Sequence, residues 1–302
     1  MVTAIVTTYK REPEIVVRAV KSILNQTYKD LEIIVVDDSP NDYAYRNGVK
    51  EQVLLLDDSI QYIQHEKNAG ACQARNTGLS MAQGEYVAYL DDDDEWEPSK
   101  IQKQVSVFEK GSSEIGLVYC GCIWINQMTK ERTIKPLEKH SGHVFDELIK
   151  GNFIGGTSCP LMRTSYLKDI GGFDPLMQSA QDADVWLRMA SKYKVEFIDE
   201  PLFSYYEVHA GEQISTNPHK KLAGVQRLYE KNSQYLQEHS DANWVMLNKI
   251  SFLYSWTGDL KRGIKTWWKA VRMKPFRIVR NMGFFFRVIQ KYYFHIKRTA
   301  RK

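Results

Sequence analysis

Between Tyr86 and Trp96 the chain reads YVAYLDDDDEW, an apolar run that stops at four consecutive carboxylates, Asp91, Asp92, Asp93 and Asp94. Close carboxylates repel, by about 1 kcal/mol per pair in water and roughly 4 kcal/mol near a protein surface. A divalent cation would relieve that repulsion, because Mg²⁺ and Mn²⁺ take oxygen ligands and often bind through one or two carboxylates plus substrate phosphates. A solvated acidic turn or a helix N-terminus accommodates the same residues, since Asp faces a helix dipole favourably there. Other polar residues stand at similar breaks: Thr7 and Tyr9 after TAIV, Asp37 and Asp38 after LEIIVV, Arg75 and Asn76 shortly after Asn68-Ala69-Gly70.

Those breaks need elements to position them. Thr3 to Thr8 and Leu31 to Val36 are β-branched, apolar runs that read as buried strands, with helical spacing between them from Ile15 to Leu24. A helix over Val49 to Leu56, a strand over Ile60 to Gln64 and a helix over Ala71 to Ala82 follow, and Gly84 precedes the strand that ends in the aspartates. Alternation of this kind to about residue 100 predicts a doubly wound, mostly parallel α/β sheet. Its strand ends then gather polar residues at the edge where such sheets bind nucleotides.

Farther along, Leu117 to Asn126 and Val195 to Asp199 read as strands and Val144 to Lys150 as a short helix. Gly155-Gly156-Thr157 is a turn that allows close backbone approach. From Lys220 onward the pattern is helical. In the last helix Arg280, Arg287, Lys291 and Arg298 fall within roughly 20° of one line, opposite Phe285, Val288, Ile289, Tyr292 and Ile296. That suits a helix lying on a membrane surface, or one packed on its own domain with a solvated basic face.

Composition is that of a globular chain: 302 residues, 43% hydrophobic and 26% charged, with apolar runs well short of the ~18 residues that span a bilayer. The N-terminal segment lacks a basic region ahead of its apolar run and reads as a first strand rather than a leader. Cys72, Cys120, Cys122 and Cys159 form no CxxC pair, which fits small core residues in a reducing cytosol. A formal net charge of +4 hides an uneven distribution, with fourteen Lys or Arg and no Asp or Glu between Lys261 and Lys302.

Taken in order, AIVTTYKRE, NQTYKDLEIIVVDDS, NAGACQARNTGL, GEYVAYLDDDDEWEP, GGFD and QDADVWLR resemble the inverting family-2 glycosyltransferases, whose catalytic domain has the GT-A fold. The resemblance spans about residues 2–215. It implies a GT-A catalytic domain over 1–218, with a nucleotide-binding half at 1–100 and an acceptor half at 101–218. A helical, basic extension over 219–302 lies outside the shared core. It also implies that Thr7, Tyr9 and Asp38 hold the base of a nucleotide-sugar and that Arg75 lies near the nucleotide. Tyr9 offers a stacking face and Asp38 can accept from a pyrimidine imide, in agreement. Asp93 would be the main carboxylate on Mn²⁺ or Mg²⁺, Asp91 and Asp92 would be shared between metal and ribose, and Asp94 could cap a helix.

By the same resemblance Asp182 is the general base, which takes the acceptor hydroxyl proton during attack on the anomeric carbon. Family members usually carry Glu before this Asp; here Gln181 stands there, which leaves Asp184 as a second candidate. His209 stands where related enzymes often carry a loop His near the diphosphate or metal. Gly155, Gly156 and Thr157, with Gln181 and Asp184, would line the donor-sugar or acceptor pocket.

The expected activity is metal-dependent, inverting transfer from a UDP-sugar or related pyrimidine nucleotide-sugar to a lipid-linked or polysaccharide acceptor. The enzyme would be cytoplasmic and peripheral on the inner face of the cell membrane, held by the basic helix. A sugar nucleotidyltransferase is the alternative enzyme, but it would need a Gly-rich phosphate loop after the first strand, and Val6 to Pro13 has no glycine. A non-catalytic basic module is the alternative of another class. The aromatic face of the last helix favours lipid over nucleic acid as its partner, so no nucleic acid is expected.

Overall fold

The structure, a computed structural model, describes residues 1–207 and 217–299. It forms two compact units. The first holds Met1–Leu148, Asn152–Pro175 and the stretch opening at Asp182; the second holds Ile149–Gly151, Leu176–Gln181 and the C-terminal helices.

In the first unit β1 (Val2–Thr8), α1 (Pro13–Leu24), β2 (Leu31–Asp37), α2 (Arg46–Leu54), β3 (Gln61–Gln64), α3 (Ala71–Met81) and β4 (Tyr86–Asp91) alternate as the apolar spacing predicts. Val2, Ala4, Ile5 and Val6 of β1 are wholly buried, as a parallel sheet covered on both faces requires. Gly78 lets α3 settle on β1, since a Cβ there would stand 2.5 Å from Ile5 Cγ2. The register sets Thr8 beside Asp37 and Thr7 beside Asp91, so the polar strand ends arrive together at one edge.

The elements that follow, up to residue 207, are β5 (Glu95–Trp96), α4 (Lys100–Lys110), β6 (Ile115–Asn126), β7 (Arg132–Ile134), α5 (Phe145–Leu148), β8 (Leu161–Arg163), α6 (Thr164–Asp169), α7 (Gln181–Ala190) and β9 (Lys194–Glu207). Strand order is β3-β2-β1-β4-β8-β6-β9-β5, with β7 on β6. The sheet is α/β as expected, its long pairings parallel and its short ones antiparallel. β3-β2-β1-β4 and the β6-β9 pair are parallel, whereas β8 runs antiparallel to both neighbours. β9 runs past the Val195–Asp199 expected from the sequence because Pro201 falls where β6 shifts register at Gly121, a place that tolerates a missing donor.

The second unit contains α8 (Pro218–Lys231), α9 (Ser233–Glu238), α10 (Ser240–Trp256), α11 (Leu260–Met273) and α12 (Ile278–Thr299). Asn217 caps α8 by accepting from His219 and Lys220 N–H groups, and Asp259 caps α11 by accepting from Arg262. Trp244, Leu247 and Ala270 form a core. Buried Asn281 fastens α12 to it: Oδ1 accepts from the Trp244 indole at 2.9 Å and the carbonyl accepts from the Trp267 indole at 2.9 Å. The single apolar face expected on α12 divides, because Val288 is buried while Ile289 and Ile296 are exposed. Among the described residues no helix is long and apolar enough to cross a membrane.

Candidate active site

Asp91 ends β4 and is gripped from two sides. Thr157 Oγ1 donates to its Oδ1 at 2.8 Å, and Arg75 Nη2, from α3, donates to the same oxygen at 2.9 Å. Asp92 and Asp93 share Arg11, whose Nε donates to Asp92 Oδ1 at 2.9 Å and Nη2 to Asp93 Oδ2 at 2.7 Å. Arg18 of α1 donates to the Asp93 carbonyl at 2.7 Å. Asp94 is not a helix cap: Ser99 holds the N-cap position of α4, and Asp94 is buried, accepting from Ser158 Oγ at 2.6 Å. Arginines therefore supply the positive charge that four adjacent acids require. Spacing singles out neither Arg11 nor Arg18; only the place of Arg11, two residues beyond Tyr9 at the same sheet edge, hints at its part.

Burial pushes the Asp92 carboxyl up to about 6 against the pull of Arg11, with Asp93 adding to the rise. Burial likewise raises Asp93, opposed by Arg11. It holds Asp94 well above the usual carboxylate range, helped by Asp91 and Asp93. Burial is thus the largest cause of the rise in all three, with neighbouring carboxylates adding to it and Arg11 opposing it at Asp92 and Asp93.

These donors fit a divalent cation that is shared with a substrate. Asp91 and Asp93 are partly exposed hard-oxygen donors, and Asp94 Oδ1 is buried with no hydrogen-bond partner. Among the described residues no three His, Cys, Asp or Glu side chains converge to hold a metal ion. One or two carboxylates with substrate phosphates is an ordinary Mg²⁺ arrangement, whereas an all-protein cage is not.

On the side of β2, Asp38 is buried and organises the turn into α3. It accepts from the N–H groups of Ala69 and Gly70 at 2.7 and 2.8 Å and meets His65 Nδ1 at 2.8 Å. Buried Arg46 backs this loop by donating to the Ser39 and His65 carbonyls at 2.8 and 2.7 Å. Thr7 is half-buried beside Asp91. Lys10 takes a left-handed φ of 51°, a strained conformation for a residue with a Cβ. That turn leaves the Tyr9 ring exposed and returns Arg11 to the aspartates.

Asp182 lies in the first turn of α7. Asn152 Nδ2 donates to its Oδ2 at 3.0 Å and to the Gly155 carbonyl at 3.1 Å, while Asn152 Oδ1 accepts from Gly155 N–H at 3.2 Å. One amide thus sets the base candidate and the glycine turn together, a role that spacing does not reveal. Buried Trp186 adds a bond from its indole to the Gly155 carbonyl at 2.9 Å. Gly155 has a φ of 95°, and the space beside both Gly155 and Gly156 is open. Burial raises the Asp182 carboxyl; the Ala183 N–H and Arg75 oppose the rise and Asp91 reinforces it. Asp184 is buried and clasped by Arg188 at 2.6 and 2.9 Å, and that arginine also holds the Ile170 and Gly172 carbonyls. Gln181 donates to the Met177 carbonyl at 3.1 Å. His209 lies outside the described residues.

Residues 3–171 match the family described as Glycosyl transferase family 2. The chain is 29% identical over 226 residues to WcaA of Escherichia coli (strain K12), named as a colanic acid biosynthesis glycosyl transferase, covering 74% of this chain and 78% of that one. To TuaG of Bacillus subtilis (strain 168), named as a teichuronic acid biosynthesis glycosyltransferase, it is 30% identical over 207 residues, covering 67% of this chain and 76% of that one. Its fold is similar to that of S. aureus TarS in a crystal structure with UDP-GlcNAc, at a TM-score of 0.68 and 15% identity, covering 99% of this chain and 91% of that one.

Proposed function

The chain belongs to glycosyl transferase family 2 and is an enzyme of GT-A fold, and from that premise we propose that it transfers a sugar, with inversion, from a UDP-sugar or related pyrimidine nucleotide-sugar to a hydroxyl of a lipid-linked or cell-surface polysaccharide. Relatives named for colanic acid and teichuronic acid biosynthesis support the acceptor class, and UDP-GlcNAc in the TarS structure supports the donor class. The observation that carries the reading is Asp182, a carboxylate raised by burial, steadied by Asn152 and within the field of Arg75 and Asp91.

In the proposed reaction Tyr9 stacks on the base and Asp38 accepts its imide N–H. Thr7 lies with them at the base, Arg75, Asp91 and Asp92 hold the ribose and diphosphate, and the Gly155-Gly156-Thr157 turn gives the donor sugar room. Asp182 takes the acceptor hydroxyl proton as that oxygen bonds the anomeric carbon; the bond to the nucleoside diphosphate breaks on the opposite face, so the configuration inverts. Mn²⁺ or Mg²⁺, held by Asp93 with Asp91 and with His209 as a further ligand, would stabilise charge on the departing diphosphate. Arg11 occupies Asp93 in this structure, so cation and arginine compete for one carboxylate. Asp184, held by Arg188, serves the shape of α7 rather than proton transfer. In this reading the basic last helix holds the enzyme at the inner face of the cell membrane.

A nucleotide-sugar panel, read by nucleoside diphosphate release and by the anomeric configuration of the product, tests this. Release should stop on chelation and in Asp93→Ala, and Asp182→Asn should lose transfer but keep donor binding. Turnover that survives chelation would sink the metal part; wild-type turnover in Asp182→Asn would sink the base assignment.

A further inference from the structure

We infer that the face of α12 formed by Val279, Met282, Phe286, Ile289, Tyr293 and Ile296 lies in the headgroup layer of an anionic membrane; the inference rests on the membrane-surface reading above and gives it a specific surface. These residues recur in steps of 3, 4, 3, 4 and 3, which returns each to one side of an α-helix. All six are exposed, Val279 at 85% and Phe286 at 64%. Phe276, three residues ahead of Val279, is 96% exposed.

The helix does not need this side for folding. Its other side already packs: Asn281 and Val288 are buried, the Phe284 ring is 5.4 Å from Trp244 and the Phe285 ring 4.7 Å from Trp267. A contiguous exposed apolar stripe on the side away from these contacts marks an interaction surface.

Charge selects the occupant. The segment from Lys261 to Lys302 carries fourteen Lys or Arg and no acid. A second copy on the stripe would bring two such segments together with nothing to pair them, and like-charge juxtaposition opposes that interface. An anionic lipid surface supplies negative charge in every register. On α11 the exposed Trp268 stands between exposed Lys265 and Arg272, one helical face with an indole flanked by cations. Tryptophan and tyrosine favour the headgroup level, where lysine and arginine reach anionic lipid. Since no described helix can cross a bilayer, α12 lies in its plane.

The test is flotation of the full chain with vesicles of phosphatidylglycerol and phosphatidylcholine, compared with phosphatidylcholine alone. The wild type should float only with the anionic vesicles, and Met282→Glu/Phe286→Glu should lose roughly tenfold or more of that partitioning. Donor hydrolysis in solution and the melting temperature should stay unchanged. If the double variant fails to fold, Phe276→Asp, in the turn between the helices, carries the same expectation. A wild type that never floats overturns both the membrane reading and this face. Equal flotation of wild type and folded variant overturns the face alone, and a dimer in sedimentation that the variant breaks, without vesicle binding, makes the stripe a self-interface. Loss of donor hydrolysis in the wild type would instead strike the catalytic reading and leave flotation untouched.

Discussion

A general base acts only when deprotonated, so transfer should fall as pH drops through the Asp182 pKa, which burial places above the ordinary 3.8. Asn152→Ala removes the N–H that steadies its carboxylate at 3.0 Å. The acidic limb of the pH–rate profile should then move upward and kcat fall about tenfold, while the donor Kd stays within about twofold. An unmoved limb would reduce Asn152 to loop structure. Arg11→Ala frees Asp93 from its ion pair. Calorimetry without nucleotide should then find Mn²⁺ bound roughly tenfold tighter, the equivalent of about 1.4 kcal/mol of lost competition; unchanged affinity would remove Asp93 from the metal. Asp92 makes a stability prediction. Its carboxyl rises from 3.8 to about 6 on folding, so the folded state holds the proton more tightly than the unfolded chain. That contribution is full below about pH 4 and is lost as pH rises to about 6, a loss of at most roughly 3 kcal/mol. Asp92→Asn should therefore gain on the wild type across that window in urea titrations and hold a constant gain above it.

At the scale of elements, the sequence makes legible whatever one chain segment decides. β1, β2 and β4 are continuous apolar runs that end in polar residues, and their parallel register turns three endings into one site edge. Thr7, Asp38 and the Asp91 cluster could be found that way. Arg11 and Asn152 could not, because a strained turn at Lys10 and a bracket around Gly155 decide where they point. The same reasoning explains α4, whose Ile101, Val105 and Phe108 recur at helical spacing but are mixed with polar residues that prove to be wholly buried. Lys100 Nζ donates to Gln104 Oε1 at 2.8 Å, and burial lowers its pKa to about 8. Gln104 Nε2 donates to the Val118 and Cys159 carbonyls at 2.9 and 3.0 Å, which ties α4 to β6 and to the chain entering β8. A buried polar ladder looks like surface in a sequence, and only the fold reveals its partners. Gln104→Ala would strand both carbonyls and should cost about 2–4 kcal/mol in urea unfolding, on the scale of an unsatisfied buried group; a loss below about 0.5 kcal/mol would mean that water replaces the amide.

At the scale of the molecule, the family motifs stop before the C-terminal helices, so nothing in them speaks of how the second unit is built. The structure gives each unit its own buried residues: the Val6, Val35 and Leu90 layer of the sheet in the first, and Trp244, Leu247 and Ala270 in the second. The division is not one cut in the sequence, since Ile149–Gly151 and Leu176–Gln181 group with the C-terminal helices. Separate cores predict separate unfolding transitions in calorimetry. Among the described residues proposed for donor and cation, all but Gln181 lie in the first unit. UDP-sugar with Mn²⁺ should therefore raise one transition, by about 2.7 kcal/mol at a hundredfold excess over Kd. The other should stay in place until anionic vesicles are added. One transition that shifts with either ligand would mean that the units melt as a single body, and Asp182→Asn, which keeps its donor site, should give the same nucleotide-sugar shift as the wild type in either case.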